Sequence, residues 1–129
     1  MSTKPATILI VEDNPLNLEL ATDLLVVAGY SIRQARTAEE GVRLAVAEPP
    51  DLILMDLRLP GMDGYAALRC LRADPRTANI PTVALTAQAM RGDQEAVLAA
   101  GFDDYISKPI NTGTFPQTVA RVLGGNGRS

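Results

Sequence analysis

The sequence predicts an α/β fold, a doubly wound parallel sheet of five strands with helices on both faces. Three observations lead there. Short apolar runs alternate with helix-patterned stretches along the whole chain, so each strand is followed by a crossover helix. The third run, Leu52-Ile53-Leu54-Met55, is apolar without alternation, the mark of a strand covered on both faces. The chain has 129 residues, 47% of them hydrophobic, which is one domain with enough apolar material for a core without disulfides or metal staples.

Each element follows from local signals. Ala6-Thr7-Ile8-Leu9-Ile10-Val11 is the first strand. Asn14 caps the first helix and Pro15 takes its first position, where a missing N–H costs nothing. Leu16, Leu20 and Leu24 recur every four residues and predict that helix's buried stripe; Gly29 stops it. Ser31-Ile32-Arg33-Gln34-Ala35 is a weaker second strand, expected near an edge. Thr37-Ala38-Glu39-Glu40 reads as a capping box opening a helix to about Glu48, which Pro49-Pro50 ends. After the third strand, Gly64 to Ala73 is helical and Asp74-Pro75 breaks it. Thr82-Val83-Ala84-Leu85 is the fourth strand, followed by a helix from about Arg91 to Ala100 that stops at Gly101. Tyr105-Ile106 marks a short fifth strand. The last helix follows Asn111-Thr112, with Phe115, Val119, Val122 and Leu123 on one face. One domain is expected over 1–123, with 124–129 a flexible glycine-rich tail. The flavodoxin-like strand order 2-1-3-4-5 is the usual solution at this size, and it sets the ends of strands 1 and 3 side by side.

Composition removes several function classes. Twelve Lys and Arg against fifteen Asp and Glu give a net charge of −3, which argues against direct nucleic-acid binding. Cys70 is the single cysteine, so no internal disulfide forms, as expected for a reducing cytoplasm; in a helical stretch it reads as filler. The chain has no histidine, which excludes a phosphohistidine and any histidine-based acid/base or metal site. The polar start, Met1 to Pro5, reads as no leader peptide, and no apolar run approaches the ~20 residues of a membrane span. A cytoplasmic location is the expectation.

The chemistry gathers at strand ends. Asp56 closes the third strand, ahead of the turn Pro60-Gly61-Met62-Asp63-Gly64. Glu12-Asp13 follows the first strand, Thr86 the fourth, and Lys108-Pro109 the fifth. In open α/β sheets, ligands bind beyond the carboxyl ends of the strands. The predicted strand order makes Glu12, Asp13 and Asp56 converge, and three carboxylates in one pocket repel each other. A hard cation suits such oxygens, and Mg²⁺ fits best because it takes few carboxylates, keeps waters and accepts phosphate oxygens; Mn²⁺ is the alternative. Asp56 is then the candidate nucleophile, forming an acyl phosphate as aspartyl-phosphate enzymes do. Lys108 would meet one phosphoryl oxygen, and the Thr86 hydroxyl and Ala87 amide another.

In Glu12-Asp13, Leu54-Met55-Asp56-Leu57, Pro60-Gly61-Met62-Asp63-Gly64, Leu85-Thr86-Ala87 and Tyr105-Ile106-Ser107-Lys108-Pro109, in that order at strand ends, the chain resembles the receiver domain of two-component response regulators over essentially its full length. With nothing read past the fifth helix, it is expected to be similar to stand-alone regulators of the cell-division, sporulation-phosphorelay and chemotaxis kind. The resemblance implies that Asp56 takes a phosphoryl group from a sensor histidine kinase or a histidine phosphotransfer protein. It implies a Mg²⁺ site of Glu12, Asp13, Asp56 and the backbone carbonyl of Arg58, the first two acting partly through water. Thr86 and Lys108 would read the phosphoryl group, and Thr86 and Tyr105 would form a switch. The Lys108-Pro109 bond is expected to be cis. A downstream protein would bind the face of the fourth helix, fifth strand and fifth helix, the chain acting as a monomer or a phosphorylation-linked dimer. It would catalyse only its own phosphoryl transfer and autodephosphorylation. Arg58 and Gln88, each two residues past a site residue, would overhang the phosphoryl group and tune its lifetime, with Arg58 lengthening it.

Three rivals share parts of this pattern. An FMN carrier of the same fold needs a hydroxyl- and glycine-rich loop after strand 1, whereas Glu12-Asp13-Asn14-Pro15 repels phosphate unless a metal intervenes. An aspartate-nucleophile phosphohydrolase usually carries a second Asp where Arg58 stands. A phosphorylation-independent scaffold of receiver type leaves the three carboxylates without a purpose, at a cost in stability.

Overall fold

The apolar runs become strands. The computed structural model describes residues 5–87 and 91–125. Here β1 (Thr7–Val11), β2 (Ser31–Ala35), β3 (Leu52–Asp56), β4 (Thr82–Thr86) and β5 (Asp104–Ser107) form one parallel sheet in the order β2-β1-β3-β4-β5. This is the flavodoxin-like order. It leaves β2 at an edge, where its residues are mostly exposed or half-buried, and puts β3 and β4 inside, where every residue is buried.

Successive side chains of a strand point to opposite faces, and the two cores divide accordingly. Leu9, Val11, Ile53, Met55 and Ala84 pack with α2 (Ala38–Ala47), α3 (Gly64–Ala73) and α4 (Arg91–Ala99). Ile8, Ile10, Leu52, Leu54, Val83 and Leu85 pack with α1 (Pro15–Val27) and α5 (Phe115–Gly125). The register then fixes the site. Val11 lies beside Met55 on one side and Ala35 on the other, Asp56 beside Leu85, and Thr86 beside Ser107. The residues that end β1, β3, β4 and β5 therefore come out on one rim.

Three local expectations are corrected. The buried face of α1 is Leu18, Ala21 and Leu25, while Leu16 is 76% exposed and Leu20 and Leu24 only flank the core. Residues four apart overshoot a turn by ~40° each step, so a run with that spacing winds off the sheet, whereas steps of three and four stay on it. The capping box at α2 is half of one: Thr37 Oγ accepts the Glu40 N–H (3.1 Å), but Glu40 Oε1 accepts from Arg36, one residue before the cap (3.0 Å). Finally, α5 continues through Gly124 and Gly125, because glycine weakens a helix by only ~1 kcal/mol and does not end it; residues 126–129 lie outside the described residues. Among the described residues, no helix is long and apolar enough to cross a membrane.

Candidate functional site

Glu12 is the first residue past β1, and its N–H still donates to Ala35 O of β2 (3.0 Å). The chain then turns sharply. Asn14 Oδ1 accepts the N–H groups of Leu16 (2.9 Å) and Asn17 (3.1 Å), and Glu12 Oε2 accepts the Asn14 N–H (3.1 Å). These bonds aim Glu12 across the end of the sheet toward Asp56, and both are buried, at 1% and 3% exposure. Asp13 stands half-buried between them and solvent. Carboxylate oxygens of Glu12, Asp13 and Asp56 all lie within 4.8 Å of one another.

Lys108 enters from β5. Its N–H donates to Thr86 O (2.8 Å), and its peptide bond to Pro109 is cis. Its Nζ donates to Asp56 Oδ2 at 2.8 Å and stands 2.9 Å from Glu12 Oε1. Asp56 Oδ1 accepts the Arg58 N–H (3.0 Å). Glu12 Oε1 takes no hydrogen bond among the described residues, its approach to Lys108 being a charge contact without hydrogen-bond alignment.

The electrostatics record the crowding. Burial pushes the Glu12 carboxyl above its usual range; the Lys108 ammonium and the Asn14 amide oppose this, and Asp56 adds to it. Burial pulls the Lys108 ammonium down, but Asp56 and Glu12 together outweigh burial and leave it above the ordinary lysine value. Among the described residues, one ammonium thus meets two carboxylates of a cluster of three. A hard dication fits the donor set: it would bind the Glu12 oxygen that takes no hydrogen bond and oppose the remaining negative charge.

The other expected residues fall around this centre. Thr86 closes β4 and is 7% exposed, and Ala87 follows it, exposed. Tyr105 is half-buried against the core on the α2–α3–α4 side. Arg58 is exposed at the rim. Gln88 lies outside the described residues.

The sequence placed Gly64 in the turn after β3 and Glu39 in a helix start without a role at the site, and gave Arg36 no role. Gly64 begins α3 behind Asp63, whose Oδ1 accepts the Ala66 N–H (2.9 Å). A Cβ at Gly64 would lie 2.6 Å from Asp56 O, so only glycine lets α3 start against the backbone of Asp56. Arg36 Nη2 donates to Asp13 O (3.2 Å) and Glu39 Oε2 accepts the Met62 N–H (3.3 Å). Both are exposed charges that read in sequence as a solvated helix start.

Comparison with known proteins places this geometry among relatives. The family model described as the response regulator receiver domain matches residues 8–120. The chain is 42% identical over 120 residues to the polar-differentiation response regulator DivK of Brucella anthropi, covering 93% of this chain and 98% of the relative. A crystal structure of a putative response regulator from Chloroflexus aurantiacus superposes with a TM-score of 0.88 at 35% identity, covering 93% of this chain and 98% of that one. The receiver domain of a sensor histidine kinase from Pseudomonas aeruginosa, solved with a magnesium ion coordinated in its active-site cleft, superposes with a TM-score of 0.85 at 39% identity over 93% and 98% of the two chains.

Proposed function

This chain belongs to the response regulator receiver domain family of two-component signalling, and from that premise we propose that it is a phospho-accepting switch whose acceptor is Asp56. The observation that carries the reading is the convergence of three carboxylates within 4.8 Å of one another, two of them against one ammonium, with Lys108 Nζ 2.8 Å from Asp56 Oδ2 and 2.9 Å from Glu12 Oε1.

The donor is a phosphohistidine on a partner kinase or phosphotransfer protein, since this chain has no histidine of its own. The Asp56 carboxylate attacks phosphorus; the P–N bond to the donor imidazole breaks, a P–O bond forms, and the proton needed by the leaving nitrogen comes from the donor's side. The Arg58 N–H on Oδ1 and Lys108 on Oδ2 hold the Asp56 carboxylate in one orientation before attack, which removes an entropic cost. Lys108 then moves from the carboxylate to a phosphoryl oxygen. Glu12, Asp13, Asp56 and the Arg58 carbonyl would hold Mg²⁺, which supplies charge neutralisation for the phosphoryl oxygens.

The product has two readers. The Thr86 hydroxyl and the Ala87 amide donate to the phosphoryl group, and movement of Thr86 draws Tyr105 inward. Thr86 and Tyr105 sit on adjacent paired strands, which supports their coupling. The response reaches the face of α4, β5 and α5, where Leu98 is exposed and a groove of about 420 Å³ runs past Tyr105, Ser107, Asn111 and Thr118. A downstream protein binds there.

The test is intact mass after incubation with a small acyl phosphate or phosphoramidate. The parent is expected to gain one phosphoryl group with Mg²⁺, none with a chelator, and Asp56→Asn none in either. No adduct on the parent in excess donor and Mg²⁺ would turn the reading to a phosphorylation-independent scaffold.

A further inference from the structure

The start of α2 braces both loops that carry the acids. Gly41 seats this helix tightly on β1, since a Cβ there would lie 2.6 Å from Val11 Cγ2, one residue before Glu12. The Thr37 hydroxyl holds the Glu40 N–H and the Glu40 carboxylate holds the Arg36 N–H, so the backbone from Arg36 to Glu40 is fixed at both ends. Two side chains reach out from this platform. Arg36 spans to the backbone carbonyl of Asp13 in the β1–α1 loop. Glu39 spans to the backbone N–H of Met62 in the β3–α3 loop. Next to Met62, Gly61 has φ +77°, and a Cβ on it would come 3.2 Å from that same Glu39 oxygen. Met62 itself packs against the core.

We propose that Arg36 and Glu39 are positioning residues for the acidic site, holding the Asp13 loop and the Asp56 loop at the spacing that binds Mg²⁺. The inference rests on the Mg²⁺ site proposed above. Neither residue is a ligand. Each acts on the backbone of a ligand-bearing loop, as outer groups do around metal sites generally. Without them, the like-charged loops would relax apart, and Mg²⁺ would have to draw them together again.

Position and charge predict opposite results here, which makes the proposal testable. Removing a cation near a metal site favours Mg²⁺ on Coulomb grounds, but removing Arg36 as a brace weakens it. Isothermal titration with Mg²⁺ on the full chain is expected to show Arg36→Ala and Glu39→Ala each binding about three- to tenfold more weakly, the scale of one lost hydrogen bond. Glu39→Gln keeps an acceptor for Met62 and is expected to bind as the parent does. Metal-free melting of all three variants stays close to the parent's, because the residues are exposed. Arg36→Ala binding as tightly as the parent or tighter, or Glu39→Gln binding as weakly as Glu39→Ala, would overturn the proposal while leaving the metal site standing. A parent that binds no Mg²⁺ would overturn the site itself, and the bracing role with it.

Discussion

The two ends of the sheet carry the same kinds of residue and use them in opposite ways. At the amino-terminal end, Asp51 Oδ2 accepts the Thr7 N–H (2.7 Å), and Asp103 Oδ2 accepts both the Thr82 N–H (2.8 Å) and Arg72 (3.2 Å). Arg72 also donates to Ala78 O, Ile80 O and Gly101 O. The charges are consumed in closing strand ends and tying α3 to the α4–β5 turn. At the carboxyl-terminal end, among the described residues, three acids lie within 4.8 Å of one another, two of them meet the Lys108 ammonium, and a buried Glu12 oxygen takes no hydrogen bond. A carboxylate at a strand end is therefore not a site in itself. Backbone donors reach the acids at both ends, but only at the carboxyl-terminal end, among the described residues, do three carboxylates also lie within 4.8 Å of one another.

Breaking the amino-terminal end tests the first half of that contrast. Arg72→Ala is expected to cost about 2–3 kcal/mol in urea unfolding, because several carbonyls lose their donor together, while phosphoryl acceptance by the folded protein is unchanged. A stability loss under ~0.5 kcal/mol would show that the clamp is decorative. Relieving the carboxyl-terminal end tests the second half. Asp13→Asn is expected to raise metal-free stability by about 1 kcal/mol through lost like-charge repulsion, and to weaken Mg²⁺ binding. A metal-free variant that melts below the parent would mean the cluster is not crowded. The smallest effect is at the rim. Arg58→Ala is expected to speed loss of the phosphoryl group about threefold, less than 1 kcal/mol of barrier, and an unchanged rate would remove the shielding role.

The parts of this protein that were legible in the sequence share one property: the signal lay within a few residues. Leu52 to Met55 announced a strand buried on both faces, and Asn14-Pro15 announced a helix start. Glu12, Asp13, Asp56, Thr86 and Lys108 stood out because each polar residue followed an apolar run, and strand order then brought them together. What stayed hidden depended on distant neighbours. The true buried face of α1, Leu18, Ala21 and Leu25, is set by the sheet it meets, and the more conspicuous leucine repeat pointed elsewhere. Gly64 and Gly41 are glycines because of backbone and side chains that pack against them from other elements. Arg36 and Glu39 each bond to a residue 23 positions away, and an exposed charge gives no hint of that reach.

Asp56, and neither acidic neighbour, is expected to receive the phosphoryl group. Borohydride reduction of the phosphorylated parent, followed by peptide mass analysis, reads this directly, since it converts an aspartyl phosphate to homoserine. Conversion is expected at residue 56 alone. Conversion at Asp13, or reduction of Glu12 to its own alcohol, would contradict it and make Asp56 the metal-holding partner of a different nucleophile.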